Sequence, residues 1–338
     1  MKCERIFLYD QERELLIFLL LANLLEDKIT YVTYKTKENM LEKLEGRKII
    51  IDDNDTISKI KIFNRIKMGL YIKRLRKREK EILKKIQEEK ANLYGVDFLA
   101  LGKRIFFKEK LYMIEEGTAT YTRLIEEKSF KGILIKIFNK FLFLEERENI
   151  YGYGDKVKKI YLTENLCKEI PKGLEKKAEI INLKELWNKK CEEEKRIILD
   201  TFNFNDEILK KVDENTIMLF TQPLSEDNVI TEEEKIELYS KILKKYDNQS
   251  IIIKPHPREK TDYSKYFPSC YVMKERYPVE ILELVGINIK KAITIFSSAA
   301  FGLGKNIEID FYGTEINDKL FKRFGNHDNV MKRNAFLD

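Results

Sequence analysis

Ser250-Ile-Ile-Ile-Lys-Pro-His-Pro-Arg-Glu259 decides the reading of this chain. Three consecutive isoleucines make the short apolar run of a strand covered on both faces, the mark of a parallel sheet flanked by helices. Pro255 and Pro257 then fix the backbone and bar a helix, so His256 is presented on a stiff loop after the strand, between Lys254 and Arg258. In open α/β sheets ligands bind beyond the carboxyl ends of the strands, which is where this loop falls. A cationic cradle of this kind suits a phosphate, and an imidazole beside it can protonate or stabilise a leaving group.

Outward from that loop, two more strand ends carry chemistry. Ile293-Thr-Ile-Phe-Ser-Ser-Ala-Ala runs from a strand into Ser297 and Ser298, whose hydroxyls can cap a following helix or, with its free N–H groups, meet an anion without a metal. Leu111-Tyr-Met-Ile runs into Glu115-Glu116-Gly117, two carboxylates and a glycine that permits a tight turn. Adjacent carboxylates repel, and one pushed upward suits a general base; the same pair could equally serve only a helix dipole. Strand alternation would point the two to opposite faces, so a single one reaches the ligand; the reading leans to Glu115 and keeps both. Glu280, in Arg276-Tyr-Pro-Val-Glu280, could accept hydrogen bonds from ribose hydroxyls, and Gln222, Glu226 or Asp227 could line the same cleft.

The rest of the chain alternates short strands with helices, the pattern of an α/β protein with parallel sheets. Strands are expected at Glu4–Tyr9, Ile29–Tyr34, Lys48–Asp52, Asp97–Leu101 and Lys110–Glu115, with a helix at Glu12–Glu26 and a long basic helix from Thr56 to about Lys90. A glycine-tyrosine cluster, Tyr151-Gly-Tyr-Gly-Asp155, is read as the connection between a domain 1–155 and a domain 156–338. The second domain is expected to hold strands at Lys158–Leu162, Glu179–Leu183, Thr216–Thr221, Ser250–Lys254, Cys270–Met273 and Ala292–Phe296, and to end in a helical segment from Ser298.

Composition narrows the function classes. With 338 residues, 43% hydrophobic and 36% charged, the chain suits two folded domains rather than a disordered or staple-dependent scaffold. Its 64 Lys and Arg against 57 Asp and Glu leave +7, far from the one-sided excess of a dedicated nucleic-acid binder. Four scattered cysteines and two histidines argue against a zinc site or a disulfide framework, so no metal is expected. The apolar run Leu15–Leu25 is too short to span a bilayer, which points to a cytoplasmic protein. A basic stripe around Arg74 leaves peripheral contact with the inner membrane face open. Gly-x-Gly-x-x-Gly, Gly-Lys-Ser/Thr, His-Glu-x-x-His and nucleophile-elbow signatures are all missing, which removes support for dehydrogenases, P-loop enzymes, zinc proteases and α/β-hydrolases.

In their order along the chain, Glu115-Glu116-Gly117, His256-Pro257 and Ser297-Ser298 resemble the acidic, HP and serine motifs of bacterial sialyltransferases. The phrasing around them is similar to the lipooligosaccharide sialyltransferase family. The resemblance implies a GT-B fold, two Rossmann-like domains facing a central cleft, with the acceptor on the N-terminal side and the CMP-sugar on the C-terminal side. It implies inverting transfer of sialic acid from CMP-sialic acid to a galactose-terminated glycan or glycolipid, commonly at the 3-hydroxyl, with no cofactor or metal. Glu115 or Glu116 would be the base and His256 the acid. Gly117, Lys254, Pro257, Arg258, Glu280, Ser297 and Ser298 would hold the donor. Family members form intertwined dimers, which leaves a homodimer open here, and no nucleic acid is expected. The rivals are a related GT-B transferase that uses another nucleotide sugar or polymerises sialic acid, and a non-enzymatic basic module for membranes or nucleic acid.

Overall fold

β1 (Glu4–Leu8) sits inside the first sheet because Ile6, Phe7 and Leu8 are apolar towards both faces and wholly enclosed. It pairs in parallel with β2 (Lys28–Tyr34) on one side and β4 (Asn92–Gly95) on the other. β3 (Arg47–Ile51) extends the β2 side; β5 (Leu111–Ile114), β6 (Val157–Thr163) and β7 (Ala178–Ile181) extend the other. In this computed structural model the order is therefore β3-β2-β1-β4-β5-β6-β7, all parallel, and the winding direction reverses between β1 and β4. The structure describes residues 3–51, 77, 80–84, 86–88, 90–97, 110–117, 120–121, 151–167, 169–246, 248–304 and 307–325.

α1 (Glu12–Leu21) explains the apolar run near the N-terminus. Leu15, Leu16, Ile17, Phe18, Leu19 and Leu20 are all buried, and Phe18 stacks on Phe7 at 4.3 Å between ring centroids. The run is core, apolar around most of its circumference because the helix is covered on most sides. Ten residues give a rod of about 15 Å, half a bilayer core. Among the described residues no helix is long and apolar enough to cross a membrane. Of the long basic helix, residues 80–84 and 86–88 are helical, with Ile82, Leu83 and Ile86 buried. Lys73, Arg74, Arg76 and Arg78 lie outside the described residues.

The second sheet repeats the plan on five strands. β8 (Ile217–Phe220) lies at its centre, next to β9 (Ile251–Lys254) and β11 (Lys291–Thr294), with β10 (Tyr271–Val272) and β12 (Glu308–Phe311) at the edges. The order β10-β9-β8-β11-β12 is again parallel throughout and reverses between β8 and β11. Thr231 and Glu234 form a reciprocal capping box that starts the helix Glu232–Leu243, whose Leu238, Tyr239 and Ile242 pack on Ile217, Leu219 and Ile253.

The sheets correct the expected division at residue 155. β6 and β7 hydrogen-bond to β5, so both belong to the first sheet, and the compact units are Met1–Thr163 with Glu169–Thr201 and Glu164–Lys168 with Phe202–Asp338. Tyr151 and Gly152 are no linker: their N–H groups each reach a carboxylate oxygen of buried Asp97 at 2.9 Å. Residues 98–101 of the strand expected at Asp97–Leu101 lie outside the described residues, and β4 just before it was not expected; the helix expected from Ser298 starts as a 3₁₀ turn, Ser298–Leu303. β12 was not anticipated at all.

Candidate active site

Both sheets reverse direction at a point whose carboxyl end offers a crevice for ligands. In the first unit the loops there follow β1, β4, β5 and β6, and they bring together Asp10, Gln11, Asp97, Glu115, Glu116 and Thr163. In the second they follow β8, β9 and β11, and bring Thr221, Lys254, His256, Ser297 and Ser298 to one end of the sheet. A separate cavity of about 620 Å³, lined by Glu4, Lys28, Arg47 and Arg196 among others, opens at the amino ends of β1, β2 and β3. It is on the wrong edge of the sheet for the chemistry.

The two glutamates after β5 have different environments. Glu115 is completely buried. Arg13 of α1 reaches its Oε1 at 2.6 Å, the Thr163 hydroxyl reaches the same atom at 2.7 Å, and the Thr163 N–H reaches Oε2 at 2.8 Å. Tyr121 donates its hydroxyl to Oε2 as well. With four donors on two oxygens, Glu115 clamps α1 to β5 and β6 and has no face left for a substrate. Glu116 is half-buried and accepts a hydrogen bond from Gln11 Nε2 at 2.9 Å. Burial pushes its carboxyl above the ordinary range; the Gln11 bond and Arg13 oppose the shift, and Asp10 and Asp97 add to it. An open, upward-shifted carboxylate is what a general base requires, so of the two glutamates kept open the geometry suits Glu116 better than Glu115, to which the reading leaned. The reason is local: β5 ends at Ile114, and alternation does not run past it. Gly117 has φ 144°, a conformation that favours glycine, and a side chain there would meet open space.

Glu14 was missed by sequence reading. It lies on the first turn of α1, fully enclosed, and among the described residues neither of its carboxyl oxygens finds a hydrogen-bond partner. Burial, with Asp10 and Glu116 close by, pushes it well above the ordinary carboxylate range.

In the second unit Lys254, His256, Pro257 and Arg258 share one loop, as the sequence implied. His256 is half-buried; burial first, then the Arg258 charge, pushes its imidazole below the ordinary value against Asp227 and Glu226. Lys254 Nζ lies 5.4 Å from the Tyr277 ring centroid, a cation–π contact at the end of β9. Arg258 points to the surface and forks onto Asp227 at 2.5 and 3.0 Å, and Glu226 is taken by Lys235, so neither acid is left to line a cleft by itself. Pro257 is exposed.

Ser297 is buried and precedes the 3₁₀ turn, but its side chain makes no capping bond; its N–H goes to the Thr294 hydroxyl at 2.7 Å. Ser298 is exposed. Two strand spacings, about 10 Å, separate their strand β11 from β9. Glu280 begins the short helix Glu280–Leu284 and is nearly enclosed: a Cβ on Gly302 would lie 2.9 Å from its Cδ and Oε1. His327 lies outside the described residues. Among the described residues no group of three or more His, Cys, Asp and Glu side chains could hold a metal ion.

A family model described as glycosyltransferase family 52 matches residues 13–320. An uncharacterized protein of Haemophilus influenzae (strain ATCC 51907 / DSM 11121 / KW20 / Rd) is 41% identical over 261 residues, 76% of this chain and 81% of that protein. Among solved structures, the GT-B domain of a sialyltransferase from Photobacterium damselae aligns with a TM-score of 0.56 at 11% identity, covering 92% of this chain and 90% of that one. An α/β-galactoside α-2,3-sialyltransferase from Photobacterium phosphoreum gives a TM-score of 0.55 at 13% identity, over 95% of this chain and 94% of that one. At such identities the likeness is one of fold, and the fold is GT-B.

Proposed function

Because the chain belongs to glycosyltransferase family 52, we propose that it transfers sialic acid from CMP-sialic acid to a galactose-terminated glycan, with inversion at the anomeric carbon. The observation that carries this reading is the contrast at β5: Glu115 is saturated by four donors, while Glu116 keeps an accessible carboxylate shifted upward by burial. Glu116 takes the proton of the acceptor hydroxyl as its oxygen attacks the anomeric carbon. The bond to the nucleotide breaks, its electron pair stays on the phosphate oxygen, and His256 and Lys254 meet that charge. Ser297 and Ser298 add hydroxyl donors from the end of β11, on the far side of β8. Glu280, at the start of the helix Glu280–Leu284, holds the ribose by accepting hydrogen bonds from its hydroxyls. A lipooligosaccharide-type acceptor with an α-2,3 linkage is the specific form of this reading, and the protein works at or near the inner face of the cytoplasmic membrane.

Incubating the purified protein with CMP-sialic acid and lactose tests it. Sialyllactose and free CMP are expected; turnover confined to UDP-sugars would replace the sialyl donor with another nucleotide sugar.

A further inference from the structure

The loop after β9 closes on one carboxylate. Oε2 of Glu259 accepts the His256 backbone N–H at 2.6 Å and the Thr221 hydroxyl, and Oε1 accepts the Tyr263 hydroxyl at 2.6 Å. A return bond runs from the Glu259 N–H to the His256 carbonyl at 2.9 Å. Thr221 follows β8, and its own N–H meets the Lys254 carbonyl at 3.2 Å, so Glu259 clasps the carboxyl ends of two neighbouring strands. Behind it stands Lys235, with no exposed surface, at 3.7 Å from Glu259, 3.0 Å from Glu226 and 3.1 Å from Glu232. Glu226 in turn accepts the Lys260 N–H at 2.7 Å, so a buried ammonium and three carboxylates frame both sides of the loop.

That frame determines how the ring is held. The Arg258 backbone N–H points at His256 Nδ1 at 3.2 Å. A ring nitrogen that accepts a hydrogen bond carries no proton, so the neutral imidazole has its hydrogen on Nε2. We propose that Glu259 is a positioning residue, holding the turn in which the Arg258 amide fixes His256 as a neutral Nε2–H donor to the departing nucleotide phosphate. This rests on the reading that His256 meets that phosphate. The charges that bear on the ring are Arg258 on its own loop and Glu226 and Asp227 on the connection after β8; burial outweighs the two acids and favours the neutral form. During transfer the electron pair of the broken bond stays on phosphate oxygen, the acceptor proton goes to Glu116, and the ring keeps its own proton. The histidine thus acts by hydrogen bonding, which differs from the proton-releasing acid that the motif resemblance implies.

Protein labelled with ¹⁵N-histidine tests this directly, since the chain has two histidines and His327→Asn assigns the remaining signal. At neutral pH the spectrum should show a protonated Nε2 and a bare Nδ1, and CMP should shift Nε2 in preference to Nδ1. Glu259→Gln should mix the tautomers and lower kcat about 10²-fold, with the donor KM changed by less than about threefold. Thr221→Val, which removes one donor and preserves side-chain volume, should move both readouts the same way by less. An Nδ1–H ring in the unmutated protein overturns the proposal, as does a folded Glu259→Gln protein with unchanged tautomer and kcat. An Nε2–H ring blind to CMP overturns the nucleotide reading and leaves the tautomer assignment standing.

Discussion

Arg13 Nη2 lies 2.6 Å from Oε1 of Glu115, joining the first turn of α1 to the end of β5 across 102 positions of sequence. The Glu115 side chain has no exposed surface and that of Arg13 little, so the pair is a bolt in the floor of the site rather than part of its reactive surface. Glu115→Gln should therefore lower stability by about 3 kcal/mol, because it strands the guanidinium without its counter-charge. Urea unfolding of this variant beside Glu116→Gln checks it: the second should cost little. Equal stabilities would mean that Glu115 does not bear on the fold.

The pH dependence of transfer follows from Glu116. Its carboxyl is raised, chiefly by burial, and the reaction needs it ionised, so kcat/KM should climb with pH through a midpoint above the usual carboxylate range. Gln11 donates to the ionised form and holds the shift in check; Gln11→Ala should move that midpoint higher still. A profile recorded with both proteins decides, and a downward move would show that the Gln11 bond does not act on the base.

Gly302 leaves no room beside Glu280. A Cβ there would lie 2.7 Å from Cγ1 of Val279 and 2.9 Å from the Glu280 carboxyl, so Gly302→Ala must push the Glu280–Leu284 helix away. A loss of about 1–3 kcal/mol is expected from the overpacking. If Glu280 holds the ribose, the KM for the donor should rise while that for lactose stays put.

The serines can be tested as a pair. Replacing Ser297 and Ser298 together with Ala removes two hydroxyls and no capping bond, so thermal stability should hardly change. The donor KM should rise more than the acceptor KM; the reverse order would assign the serines to the other substrate.

Much of this architecture is local enough to read from sequence. Ile251-Ile-Ile-Lys254 is a strand because its run is short, β-branched and bounded by proline, and Thr231 with Glu234 marks a helix start by the spacing of a capping box. The acidic, HP and serine motifs also fall after β5, β9 and β11, where strand-end reasoning put them, and the family resemblance they carried is borne out by the family 52 match. What could not be read is what depends on distant partners. β6 and β7 look like any strands, and their membership of the first sheet is a matter of pairing with β5, which no local pattern announces. β4 and β12 are four residues each and carry Asn, Gly, Glu or Asp, too little apolar periodicity to stand out. The different surroundings of Glu115 and Glu116 come from Arg13, Thr163 and Gln11, residues that no motif points to. Glu259 was visible as the last letter of the HP segment, but its role needed Thr221, Tyr263 and Lys235 around it.

The most direct measurement is the rate of sialyllactose formation by Glu116→Gln at saturating CMP-sialic acid and lactose, with CMP affinity measured on the same preparation. Loss of the base should lower kcat by about 10²- to 10⁴-fold while CMP binds as it does to the unmutated protein. A Glu116→Gln enzyme that keeps its kcat would contradict the account and return the search for the base to the other carboxylates of the first unit.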